Sequence, residues 1–220
     1  MNTLTGAPLS GLLSRLFADA ETSSAAFAKE MAKFTPEERA AMVSSESEYR
    51  SLYSMAKDTH LAVSPETGKL LYLLARNSRA RTIVEFGTSF GISTLHLAAA
   101  LRDNGGGRLI TSEFEPSKVS KALENIEAGG LSDLVELRAG DALQTLARDL
   151  PEQVDLVLLD GAKALYSRIL ALLEPRLRSG ACVVADNADW NPDYLKRMRA
   201  ADGPYVSVPF ASDVEVSMKL

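Results

Sequence analysis

The chain has 220 residues, 46% of them hydrophobic and 24% charged, which suits an ordinary globular chain with a substantial core and excludes a fibrous or disordered one. Its 29 acidic residues outnumber the 24 basic ones, and a net charge of −5 has the wrong sign for gripping a phosphate backbone, so no nucleic-acid partner is expected. A lone cysteine, Cys182 in the apolar run Ala181 to Ala185, rules out an internal disulfide and a cysteine zinc site. The longest wholly apolar stretch, Leu70 to Ala75, is far too short to span a bilayer, and no basic leader precedes an apolar core, so a soluble cytoplasmic protein is expected.

Residues 1–62 read as a helical extension. Leu9, Leu12, Leu13, Leu16 and Phe17 fall on one helix face, and Thr35-Pro36-Glu37-Glu38 has the hydroxyl, proline and glutamate of a capped helix start. Such a stripe needs a partner surface: the main domain, a second subunit or a ligand. From Val63 onward the character changes, and residues 63–220 read as one α/β domain. A helix from Ser64-Pro65 to about Arg76 leads into strands at Thr82 to Phe86, Leu109 to Glu113, Val135 to Arg138, Val154 to Asp160 and Cys182 to Ala185. Helices are expected between them near Ser93 to Leu101, Pro116 to Ala128, Ala142 to Arg148 and Ala164 to Leu173, with a last one near Pro192 to Arg199. This alternation predicts a Rossmann-like, doubly wound, mostly parallel sheet, and Tyr205 to Val208 with Val214 to Met218 predicts a closing antiparallel hairpin.

Ligands of such sheets sit beyond the carboxyl ends of the strands, so the residues that end strands carry the chemistry. Glu85-Phe86-Gly87-Thr88-Ser89-Phe90-Gly91-Ile92-Ser93 turns from the first strand into a helix, and its glycines let backbone amides approach a ligand closely; the middle glycine of the dinucleotide fingerprint is missing. Glu113 ends the second strand, 26 residues after Gly87, where a carboxylate can take both hydroxyls of a ribose. Gly140-Asp141-Ala142 follows the third strand and can border an adenine ring. Together they describe an adenosine-containing ligand, although Asp141 alone also fits a helix N-cap and Glu113 a solvated strand end.

The fourth and fifth strands end in Asp160-Gly161-Ala162-Lys163 and Asp186-Asn187. As neighbours they would converge Asp160, Asp186 and Asn187, three hard oxygen ligands suited to Mg²⁺, Mn²⁺ or Ca²⁺. Lys163 stands beside them, where burial and a cation would lower its pKa and make it a base. The competing reading makes both aspartates helix caps and Lys163 a solvated side chain. His96 is expected to pack within a helix, His60 has no paired acid, and Trp190 suits a pocket wall or the core.

From Leu61 to the C-terminus these residues resemble the class I S-adenosylmethionine-dependent methyltransferases, and within them the cation-dependent O-methyltransferases of the catechol and caffeoyl-coenzyme A type. The resemblance implies that Val63, Glu85, Gly87, Thr88, Ser89 and Ser93 surround the methionine part of the cofactor, with Ser93 on its carboxylate. It implies that Glu113 takes the ribose and that Asp141 and Ala142 border the adenine. Asp160, Asp186 and Asn187 would hold a divalent cation, Mg²⁺ first, with Asp160 also at the cofactor and in catalysis, and Lys163 as the catalytic lysine. The implied reaction moves the sulfonium methyl to a metal-bound hydroxyl of a small catechol-like or polyhydroxylated acceptor, in a homodimer. Two departures stand out: Ala162 replaces the bulky aromatic that precedes the lysine in the catechol enzymes, and the stretch from Asn187 to the final hairpin is short. A metal-independent methyltransferase, a nicotinamide oxidoreductase and a non-catalytic cofactor-binding scaffold are the alternatives.

Overall fold

Ile83, Val84, Leu156 to Leu159, Val183 and Val184 have no solvent exposure, as strands covered on both faces require. In a computed structural model, which describes residues 2–45 and 49–220, they form the centre of a seven-stranded sheet. The strands are β1 (Thr82–Phe86), β2 (Arg108–Glu113), β3 (Val135–Ala139), β4 (Val154–Leu159), β5 (Leu177–Ala185), β6 (Tyr205–Phe210) and β7 (Val214–Lys219), in the order β3-β2-β1-β4-β5-β7-β6. β1 to β5 run parallel and β7 lies antiparallel between β5 and β6, so the predicted doubly wound sheet and closing hairpin are both present. The order reverses between β1 and β4, which opens a crevice beyond their carboxyl ends.

The helices are α1 (Leu9–Met31), α2 (Pro36–Ser44), α3 (Tyr49–Met55), α4 (Pro65–Asn77), α5 (Ile92–Asp103), α6 (Pro116–Ala128), α7 (Ala142–Thr145), α8 (Tyr166–Leu173) and α9 (Pro192–Met198). No helix among the described residues is long and apolar enough to cross a membrane. The stripe of α1 finds its partner in the main body: Leu9, Leu12, Leu13 and Leu16 are buried in one apolar cluster with Leu95, Ala99 and Ile126. The capping box of α2 forms as predicted, with Thr35 Oγ1 accepting from the Glu38 amide at 3.1 Å and Glu38 Oε2 from the Thr35 amide at 2.8 Å. His96 packs as expected, its ring so close to Gly68 that a Cβ there would meet Nε2 at 2.7 Å.

Several bounds differ from expectation. β5 begins at Leu177, because a bulge around Gly180, at φ 77°, lets the chain pair with β4 before as well as after it. α7 stops at Thr145, not at Arg148. The Arg138 guanidinium donates to the carbonyls of Thr145 and Arg148 at 2.7 and 2.5 Å, satisfying groups that the short helix leaves without a backbone partner. α8 starts at Tyr166, after a 3₁₀ turn at Lys163–Leu165. Trp190 is neither core nor pocket wall, being 53% exposed.

Glu85 in the middle of the sheet anchors the turn after β1. It has no solvent exposure and accepts hydrogen bonds from Ser93 Oγ (2.6 Å), Thr94 Oγ1 (2.5 Å) and Thr111 Oγ1 (2.6 Å), which ties β1 to β2 and to the first turn of α5. Burial pushes its pKa up to about 7, against the three hydroxyls that favour the charged form. Between the ordinary value of 4.5 and about 7 the native state keeps a proton that the unfolded chain has released. The contribution to stability is therefore full at low pH and is lost as pH rises through that window, by something on the order of 3 kcal/mol. Glu85→Gln removes the titrating group, so urea denaturation at about pH 5 and about pH 8 is expected to show the variant gaining on the wild type by that order at the higher pH. An unchanged difference would mean that Glu85 is ionised throughout.

Candidate active site

Gly87 leaves β1 at φ 99°, and a Cβ there would lie 2.6 Å from the Asp160 carbonyl oxygen and 2.8 Å from the Gly161 amide. Gly161 is pressed in turn against the ring of Phe86, with no room for a side chain. The glycine loop and the end of β4 are thus in van der Waals contact. Gly91, at φ 87°, starts α5 over the backbone of Ala122. Ser89 takes the left-handed conformation at φ 49°, unusual for a residue with a side chain, and its amide donates to Glu113 Oε2 at 2.9 Å.

Glu113 is 8% exposed and also accepts from the amides of Phe114 and Glu115, both at 2.9 Å to Oε1. Burial pushes its pKa above the usual carboxylate range, against those amides and the charge of Lys118. It is therefore no solvated strand end. Thr88 and Val63 are buried, and Thr88 Oγ1 lies 2.5 Å from Thr111 Oγ1. Ser93 is placed at the loop with its hydroxyl donating to Glu85, which is itself fully buried.

One crevice is lined by Gly87, Ser89, Glu113, Asp141, Ala142 and Asp160, and also by Phe86, Gly161, Ala162 and Leu165. Asp141 is both lining and cap: Oδ1 accepts from the Leu143 amide at 2.9 Å, and Oδ2 pairs with Arg50 at 2.7 Å. Sequence reasoning missed the aromatic wall. Tyr49 and Tyr53 of α3 line the crevice and meet Phe114 edge to face, with ring centroids 6.2 and 6.5 Å apart, and the Tyr53 hydroxyl donates to the Gly161 carbonyl at 3.1 Å. The i, i+4 spacing of the tyrosines was the available signal. Lys118, which also lines the crevice, was missed too.

At the end of β4 Asp160, Lys163 and, from neighbouring β5, Asp186 come together, and Asn187 follows Asp186 in the chain. Lys163 Nζ lies 2.9 Å from Asp160 Oδ1, both side chains being nearly buried. Burial of Lys163 disfavours its charge, yet Tyr166, Asp160, Tyr53 and Asp186 around it outweigh that and hold the ammonium well above the ordinary lysine range. The expected lowering is tied to a cation beside it; without one, Tyr166 and then Asp160 set the direction. Asp186 is pushed up to about 8, first by burial and then by the Asp160 carboxylate. Asn187 adopts φ 47° and spends its amide nitrogen on Asp213 Oδ2 at 3.0 Å, which leaves its carbonyl oxygen to face elsewhere. No cluster of three or more His, Cys, Asp or Glu side chains suited to a metal occurs among the described residues; this candidate set is two carboxylates and one amide. Two mutually repelling, nearly buried carboxylates, with an amide residue next in the chain, are oxygen donors of the kind a hard divalent cation takes.

Residues 84–188 match the family described as a methyltransferase domain. A catechol O-methyltransferase of Niastella koreensis is 38% identical over 130 residues, 58% of either chain, and one of Mycobacterium tuberculosis is 36% identical over 127 residues, 58% of this chain and 57% of that one. The matched stretch is thus under two thirds of those enzymes' lengths. Among solved structures, an O-methyltransferase of Streptomyces achromogenes involved in tomaymycin synthesis, in complex with S-adenosylmethionine, superposes with a TM-score of 0.61 at 29% identity, covering 83% of this chain and 88% of that one. The stretch matched by the methyltransferase-domain family spans the glycine loop and the carboxyl ends of β1 to β5, where the candidate site residues lie. Gly87→Ala is expected to cost about 2 kcal/mol or more, from strain and overlap with the end of β4. Gly11→Ala in α1, with nothing within 4 Å, should stabilise by ~0.5–1 kcal/mol. Equal denaturation midpoints for the two variants would contradict the close contact.

Proposed function

We propose that this chain is an S-adenosylmethionine-dependent O-methyltransferase acting on a small catechol-like or polyhydroxylated acceptor, cytoplasmic and homodimeric. The observation that carries the reading is one crevice at the sheet's reversal point, lined by the glycine loop, Glu113 and Asp160, with Lys163 held behind it on Asp160 at 2.9 Å. Gly87, Thr88, Ser89, Ser93 and Val63 are the residues for the methionine part of the cofactor, Glu113 for its ribose, and Asp141 and Ala142 for the adenine edge. Tyr49, Tyr53 and Phe114 supply aromatic surface that favours a flat ring, and Tyr53 occupies the wall that Ala162 leaves open. Val206, Val208 and Met218, exposed on the outer hairpin, are apolar surface that a dimer would cover.

The cofactor supplies a sulfonium methyl: its carbon–sulfur bond breaks as a carbon–oxygen bond to the acceptor forms, and the electron pair leaves with sulfur as a neutral thioether. A divalent cation at Asp160, Asp186 and Asn187 would supply charge that favours ionisation of the acceptor hydroxyl. The chain's own part is to hold the hydroxyl in line with the methyl, to exclude water with the aromatic wall, and, where a cation beside it would oppose the ammonium that its neighbours favour, to receive the proton at Lys163 Nζ. A second reading has its own support. Lys163 already neutralises Asp160 at 2.9 Å, which suits a metal-independent methyltransferase of the same fold.

Calorimetric titration should detect binding of S-adenosylmethionine with or without metal, and the absence of heat and of thermal stabilisation would remove the cofactor. Methyl transfer to a catechol should need added Mg²⁺; full activity in excess chelator would favour the second reading. Asp186→Ala should abolish turnover with cofactor binding nearly intact, and Lys163→Ala should lower kcat about 100-fold or more with little change in KM.

A further inference from the structure

Lys118 is the third residue of α6, and its side chain is 3% exposed. An ammonium in a first helical turn opposes the helix dipole, and a buried one loses its hydration, so the position is unfavourable on two counts. Nothing nearby satisfies it well. Its one hydrogen bond among the described residues is a long one, 3.4 Å to Ser89 Oγ, and its other close neighbour is the face of Phe90, 5.7 Å from Nζ to the ring centroid. Three donors thus share a single distant acceptor at the wall of the crevice that Glu113 and Asp160 also line. Burial holds its pKa below the ordinary lysine value, with Glu113, Glu115, Asp160 and Asp58 pulling the other way.

Glu113 is nearly spent as an acceptor. A carboxylate offers about four lone-pair sites, and three are taken by the amides of Ser89, Phe114 and Glu115. It can accept from one ribose hydroxyl without giving up a backbone partner. The second hydroxyl then needs a donor, and the under-used ammonium between Ser89 and Glu113 is one.

Resting on the cofactor reading above, we propose that Lys118 is a second ribose-binding residue, its ammonium donating to the oxygen of the cofactor hydroxyl that Glu113 leaves unpaired. Lys118→Met keeps the stem and removes the donors. Titration calorimetry would compare S-adenosylhomocysteine with 5′-methylthioadenosine, which has the same ribose and no amino-acid tail, in the full chain. Affinity for both should fall about tenfold, the size of a hydrogen bond to a charged group. The variant should also lose less than the wild type when the 2′- or 3′-deoxy form of S-adenosylhomocysteine replaces the parent. Weakening of S-adenosylhomocysteine alone would place the ammonium on the carboxylate tail and overturn the assignment, and unchanged affinity for both would reduce Lys118 to a counter-charge for Glu113. Should the methionine variant fail to fold, Lys118→Gln is held to the same outcomes. A wild-type chain that binds neither compound refutes the cofactor reading itself.

Discussion

The site depends on the contact between the ends of β1 and β4, where Gly87 meets the Asp160–Gly161 backbone and Gly161 meets Phe86. Neither glycine can carry a Cβ without forcing the strand ends apart. The same region extends the sheet's hydrogen bonding one residue past each strand. The amide of Gly140 bonds to Glu113, Gly87 to Ser112, Asp160 to Phe86 and Asp186 to Leu159, at 2.8 to 3.2 Å. Four loops therefore start in one row, and the side chains that follow them point into a common crevice. The spacing of Glu113, glycine loop and acid cluster is inherited from the spacing of the strands.

Ionisable groups gathered in that row are costly to bury, and each is compensated in a different way. Glu85 is surrounded by three hydroxyls, Glu113 by three amides, and Lys163 by Asp160. Asp186 and Lys118 are the poorly compensated ones. The compensation is uneven: Glu85 is enclosed by three hydroxyls, whereas Lys118 lines the crevice with one long hydrogen bond.

The strand-end residues were legible because their positions follow from the period of the apolar runs: a strand buried on both faces is a short apolar block, and the first polar residue after it is the site. What was not legible lies in contacts that bridge long stretches of chain. Arg50 meets Asp141 across 91 residues, and Tyr53 meets Gly161 across 108. No local pattern encodes either. Lys118 reads in sequence as an ordinary first-turn lysine, and only the packing of α6 on the glycine loop buries it. The surroundings of Lys163 are another case: its burial is foreseeable, but the neighbours that set its charge, Tyr166 and then Asp160 at 2.9 Å, are brought together only by the fold.

The N-terminal segment divides along the same line. α1 is held by apolar burial, with Leu9, Leu12, Leu13 and Leu16 sharing a core cluster with α5 and α6. α3 buries only Tyr49 and Leu52, and its polar ties to the crevice are one ion pair, in which the Arg50 side chain is 58% exposed, and one hydroxyl contact. An ion pair so open to water contributes little. The strand-end side of the crevice is thus built on strands buried on both faces, while its aromatic wall hangs on a helix that buries two side chains. On the proposed function, acceptor choice is accordingly open to change by substitution at Tyr49 and Tyr53, because altering them leaves the strand-end row untouched.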